Sequence, residues 1–174
     1  MALKISNARF RDPRTRRPEK EEYYMSIAKQ IAQRSTCIRR RYGAVIVRED
    51  NIIAAGYIGS PRGTPNCIDL GKCTQEKGKS ADQSFCRGVH AEINAIINAA
   101  RAGTSVLGGV MYLYGEDKDG NVIYGKPCKL CRRVIVNAGI TEIIMPGEKA
   151  FKKYRAEYWV RESQKDPFAD ALES

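Results

Sequence analysis

The sequence holds a single histidine among its 174 residues. Any chemistry that needs an imidazole must use His90 or do without one. No stretch approaches the ~18 consecutive apolar residues of a membrane span, and residues 1–10 lack the apolar core of a secretion signal. The expectation is a cytoplasmic protein with no membrane partner. Internal repeats and low-complexity tracts are missing too, and a mixture of 43% hydrophobic and 29% charged residues excludes a disordered or collagen-like chain. At ~150 residues per domain the length predicts one domain, which buries roughly two-thirds of its unfolded surface and needs no disulfide staples. Six cysteines in such a chain point towards metal binding or catalysis rather than a disulfide framework.

Carboxylates are the scarcer charge: 20 Asp and Glu stand against 30 Lys and Arg, a formal +10. Residues 1–50 supply +7 of it, in the clusters Arg9, Arg11, Arg14, Arg16, Arg17 and Arg39, Arg40, Arg41. Such a field attracts phosphate-bearing partners, from mononucleotides to RNA. Residues 1–18 read as a basic extended arm and 19–174 as one domain. A helix is predicted over 19–34, where Tyr24, Ile27, Ala28 and Ile31 recur with helical period. Two short apolar runs, 43–47 and 52–55, predict a hairpin. Residues 59–88 are rich in Gly, Pro, Ser, Lys and Asp without an apolar period, and a loop so long needs something to pin it. Beyond it come a helix over 90–101 with Ile93, Ile96, Ile97 and Ala100 as its buried face, a strand over 110–114, and turn chemistry over 115–126. A helix over 128–138, a strand over 141–145 and an amphipathic helix over 150–164 complete the order, which implies a sheet covered by helices.

The chemistry concentrates in His90-Ala91-Glu92 and in Pro127-Cys128-Lys129-Leu130-Cys131. A Cys-x-x-Cys opening a helix brings two sulfurs to one metal, and the helix N-terminus favours their thiolate forms. His90, opening a different helix, can add a nitrogen. Three protein ligands leave a tetrahedral zinc one open position, the catalytic arrangement, and zinc lowers the pKa of a water there to ~7. Glu92 sits two residues beyond the ligand, placed to handle the water's proton. Cys37, Cys67, Cys73 and Cys86 remain. They suit either a second, closed zinc site that would pin the long loop, or four buried free thiols.

The pairing of H-x-E with P-C-x-x-C is the zinc deaminase signature, and the sequence resembles the cytidine/deoxycytidylate deaminase superfamily. It looks most like the dCMP deaminase branch through Arg34-Ser35-Thr36-Cys37, Gly43-Ala44-Val45-Ile46-Val47, Gly56-Tyr57-Ile58-Gly59-Ser60-Pro61, His90-Ala91-Glu92-Ile93-Asn94 and Asn137-Ala138-Gly139-Ile140. The likeness runs over about 21–145. It implies a three-layer α/β fold with a mixed sheet of about five strands between helices, assembled as a homo-oligomer. It makes His90, Cys128 and Cys131 ligands of a catalytic zinc and Glu92 the proton shuttle. Backbone around Ala91 would hold the base edge while water replaces the C4 amino group of a cytosine nucleotide. In several relatives a second zinc is held at positions resembling Cys37 and Cys67.

Two departures from the family bear on the substrate. Ile58 stands where relatives carry an asparagine that helps hold the sugar, and residues 115–126 add a hairpin expected to border the pocket. Asn121 and Tyr124 of that hairpin are the expected replacement donors. Arg62, in the turn after Ser60-Pro61, is the expected phosphate contact. A nucleic-acid base deaminase, or a non-catalytic zinc scaffold, remains as an alternative. Glu116, Asp117 and Asp119 would place negative charge against the first, and an intact Glu92 speaks against the second.

Overall fold

In the computed structural model, residues 16–73, 75 and 86–165 of the chain are described. Most of the basic arm, including Arg9, Arg11 and Arg14, and the middle of the long loop lie outside them. Helix α1 (Lys20–Ala32) starts where Glu22 reaches back to the Glu19 N–H at 3.2 Å. It buries Tyr24, Met25, Ala28 and Ala32. Strands β1 (Arg40–Arg48) and β2 (Asn51–Tyr57) form the expected hairpin, longer at both ends. Its two-residue turn puts Glu49 and Asp50 at positive φ, the twist-matched geometry for a tight hairpin. Then follow a single-turn helix α2 (Cys67–Leu70), α3 (Ala91–Arg101), β3 (Val110–Asp117), α4 (Lys129–Asn137), β4 (Glu142–Met145), β5 (Lys152–Arg155) and α5 (Ala156–Lys165).

The strands form one mixed sheet in the order β2-β1-β3-β4-β5, parallel only between β3 and β4. Strand alternation divides its residues between two faces. Ala44, Ile46, Met111, Leu113, Ile143 and Met145 pack under α3 and α4, while Val45, Val47, Tyr112, Tyr114 and Ile144 pack on α1. The three-layer architecture expected from the resemblance is the observed one. Among the described residues no helix is long and apolar enough to cross a membrane.

Two sequence expectations are corrected. Helix α3 turns its small residues Ala91, Ala95 and Ala99 to the sheet; Ile93 and Ile96 are half-buried, Ala100 is exposed and Ile97 is 44% exposed. The reason is close approach: a Cβ on Gly56 of β2 would lie 2.3 Å from the Ala95 nitrogen, so only small side chains fit between helix and strand. Residues 150–164 are not one helix but β5 followed by α5. Phe151 packs on the α1 face while Tyr154 and Trp159 join the opposite cluster, a division one continuous helix could not make.

Candidate metal centre and active-site cavity

Helices α3 and α4 begin side by side on the same face of the sheet, and their first residues carry the donors. His90 is the N-cap of α3; Cys128 is the N-cap of α4, its sulfur accepting the Cys131 N–H at 3.4 Å. His90 Nδ1 lies 3.5 Å from Cys128 Sγ and 3.3 Å from Cys131 Sγ. Bonds of ~2.3 Å to sulfur and ~2.0 Å to nitrogen at tetrahedral angles put such atoms ~3.5 Å apart, so the three donors fit a zinc ion. Among the described residues this is the group whose three donors lie within 4.8 Å of one another.

The electrostatics suit a metal. The Cys131 thiol hydrogen-bonds Cys128 and holds the Cys128 pKa down to about 4, with His90 assisting. The same bond and burial push the Cys131 thiol up. A metal bound by both sulfurs would take them as thiolates and displace the Cys131 proton. The bond to Cys128 also raises the His90 pKa. Glu92, 5% exposed, has its carboxyl pKa raised by burial. Its environment favours a carboxyl able to give as well as take a proton.

A cavity of about 380 Å³ opens above these groups, with His90, Glu92 and Cys128 at its base. Ala91 and Ile58, both buried, form part of its wall. The hairpin borders it as expected, through Ile123–Lys126. Tyr124 lines the cavity; Asn121 does not, being turned to the Asp117 carboxylate at 3.1 Å. Arg62 is placed away from the cavity, exposed and donating to Asn98 Oδ1 at 2.7 Å. The basic groups on the wall are instead Arg39, Arg40 and Lys126. Strand parity sorts the arginine run. Arg40 shares its face with Tyr42, a lining residue whose hydroxyl pKa burial raises, whereas Arg41 points to the α1 side and pairs with buried Glu116 at 3.3 Å. Extending the alternation of 43–47 backwards would have found Arg40 in the sequence. Glu116, Asp117 and Asp119 do not line the cavity, and Glu92 is the one carboxyl among the described lining residues.

Cys37, Cys67, Cys73 and Cys86 gather along the same cavity. Burial raises the Cys67 pKa, reinforced by the other three sulfurs.

The sequence matches the cytidine and deoxycytidylate deaminase zinc-binding region over residues 18–146. The deoxycytidylate deaminase of Schizosaccharomyces pombe is 35% identical over 81% of this chain, and that of Mycobacterium phage D29 is 31% identical over 76% of it. The matched part is 98% of the phage protein but only 41% of the fission yeast protein, and 38% of its Saccharomyces cerevisiae counterpart. The structure of dCMP deaminase from the cyanophage S-TIM5, in complex with dCMP and dUMP, is 28% identical and superimposes with a TM-score of 0.57 over 75% of this chain and 82% of that one. With a family match spanning most of the described residues and its zinc donors assembled, the chain belongs to the cytidine and deoxycytidylate deaminase family.

Proposed function

We propose that this chain is a zinc-dependent hydrolase that converts a cytosine nucleotide, dCMP or a close relative, to the uracil nucleotide and ammonia. The observation that carries the reading is a buried carboxyl, Glu92, beside a three-donor metal set at the base of a cavity with cationic walls. His90, Cys128 and Cys131 would hold the zinc. A zinc held by them would supply acidification of a water to a pKa of ~7. Glu92 would take a proton from the attacking water and deliver it to N3 of the cytosine as oxygen adds at C4, and would then carry the proton of the new C4 hydroxyl to the departing amino group. Water is consumed, ammonia leaves and the uracil carbonyl forms. Main-chain groups at Ala91 hold the base edge. The choice of nucleotide is supported by the names of the phage relatives.

Arg40, with Arg39 and Lys126, offers the charge to meet the phosphate. Arg62, held by Asn98 outside the cavity, is left no phosphate role. Ile58 has no polar atom for the sugar, and Tyr124 is the hydroxyl the hairpin brings to the cavity. The deciding experiment follows ammonia release from dCMP, CMP, deoxycytidine and cytosine. A charge-assisted hydrogen bond contributes ~1.5–3 kcal/mol, so Arg40→Ala should raise KM for dCMP by about 10–100-fold and leave deoxycytidine unaffected. Equal effects on both would remove Arg40 from the phosphate site, and no turnover of any cytosine compound would reject the reading.

The proposal includes a second, structural zinc on Cys37, Cys67, Cys73 and Cys86. Its support is four sulfurs lining the same cavity, on either side of a stretch whose sequence carries no apolar period. Metal analysis should then find two zinc per chain, and Cys67→Ser should leave one and lower the melting temperature. A well-folded wild type with a single zinc rejects this site. The same reading makes the protein cytoplasmic, where thiols stay reduced, and, on the family resemblance, a homo-oligomer.

A further inference from the structure

The return limb of the hairpin, residues 123–126, walls the cavity and leads through Pro127 into Cys128, yet it belongs to no strand. Among the described residues its main-chain tie is a single bond at its start, from the Ile123 N–H to the Gly115 carbonyl at 2.9 Å. Two side chains catch its other end. The Tyr154 hydroxyl donates to the Gly125 carbonyl at 2.8 Å, and Arg132 Nε donates to the Pro127 carbonyl at 2.8 Å.

Both rest on one ring. Tyr154 stacks with Trp159 at 6.4 Å between centroids, and the Arg132 guanidinium lies 5.6 Å over the same indole. Trp159 is buried in the core against α4, and Tyr154 is fixed in β5 opposite Ile143 of β4. The phenol therefore reaches the limb from a rigid base. Tyr154 and Trp159 lie beyond residue 146, where the family match ends.

We propose that Tyr154 is a positioning residue for substrate binding. Through the Gly125 carbonyl it fixes the two lining residues on either side, Tyr124 and Lys126, and so sets where Lys126 meets the phosphate. The inference rests on the functional reading above.

Tyr154→Phe tests it, because it keeps the ring and its stack and removes one hydrogen bond. Loss of such a bond should raise KM for dCMP about three- to tenfold with kcat within about twofold. Deoxycytidine, which keeps the sugar for Tyr124 but has no phosphate for Lys126, should show a smaller rise in KM than dCMP, and zinc content should stay at the wild-type value. Amide hydrogen exchange over 121–127 should speed up in the variant without any substrate present. Unchanged exchange overturns the proposal, as does faster exchange with an unchanged KM for dCMP. So does a kcat loss equal on both substrates, which marks general damage rather than positioning. A wild type inert on every cytosine compound rejects the functional reading instead, and the exchange result then decides by itself whether Tyr154 holds the limb.

Discussion

Glu92→Gln is expected to lower kcat on dCMP by ~10²–10⁴ while zinc content and melting temperature stay near the wild-type values. The amide has the size and shape of the carboxyl, so the buried start of α3 keeps its packing. It has no carboxylate to accept the water's proton and no acid to return one, so both transfers assigned to Glu92 are lost. A group 5% exposed, whose pKa burial raises, has little charge stabilisation to lose when it becomes neutral. Activity and stability should therefore separate cleanly. Steady-state kinetics beside metal analysis and thermal unfolding check this, and a near-normal kcat would remove Glu92 from the chemistry.

Gly56→Ala is the second large effect, and it begins far from any reacting atom. The new methyl would lie 2.3 Å from the Ala95 nitrogen and 2.7 Å from both the Ala91 oxygen and the Asn94 carbonyl carbon. All three are main-chain atoms of α3 or its first turn, so no flexible side chain can move aside. Overpacking of this kind costs ~1–3 kcal/mol or more, which for a chain of this size lowers Tm by roughly 3–10 °C. The helix that must retreat carries His90 at its N-cap and Glu92 in its first turn. A displacement of ~1 Å of catalytic groups can cost ~10²-fold in rate. Both losses should appear together, in thermal unfolding and in kcat/KM. A variant with wild-type Tm and activity would show that β2 and α3 are not in the close contact described.

The metal set was legible because each part is local. Cys-x-x-Cys spans one helical turn, His90 opens the next helix over, and Glu92 follows from its spacing to His90. The position of Arg40 on the cavity wall was legible in principle. A turn such as 60–63 does not fix where Arg62 points, whereas strand parity does fix Arg40. Strand β5 could not be read from its own residues: Lys152-Lys153-Tyr154-Arg155 has no apolar alternation, and it is a strand because β4 offers an open edge. The buried face of α3 failed for a related reason. Hydrophobic period predicts which side chains prefer burial, and here the space left by Gly56 decides which ones fit.

That last strand also bears on how another chain could extend the sheet. A sheet edge presents unpaired main-chain donors and acceptors to any other chain, and it invites aggregation when it is long and apolar. This sheet ends in four residues whose exposed side chains are Lys152, Lys153 and Arg155. Two such edges brought together would place six basic side chains across a strand spacing of ~4.8 Å, with Lys153 and Arg155 of each edge ion-paired, to Glu21 and Glu157. Continuation of the sheet through β5 would therefore set like charge against like charge.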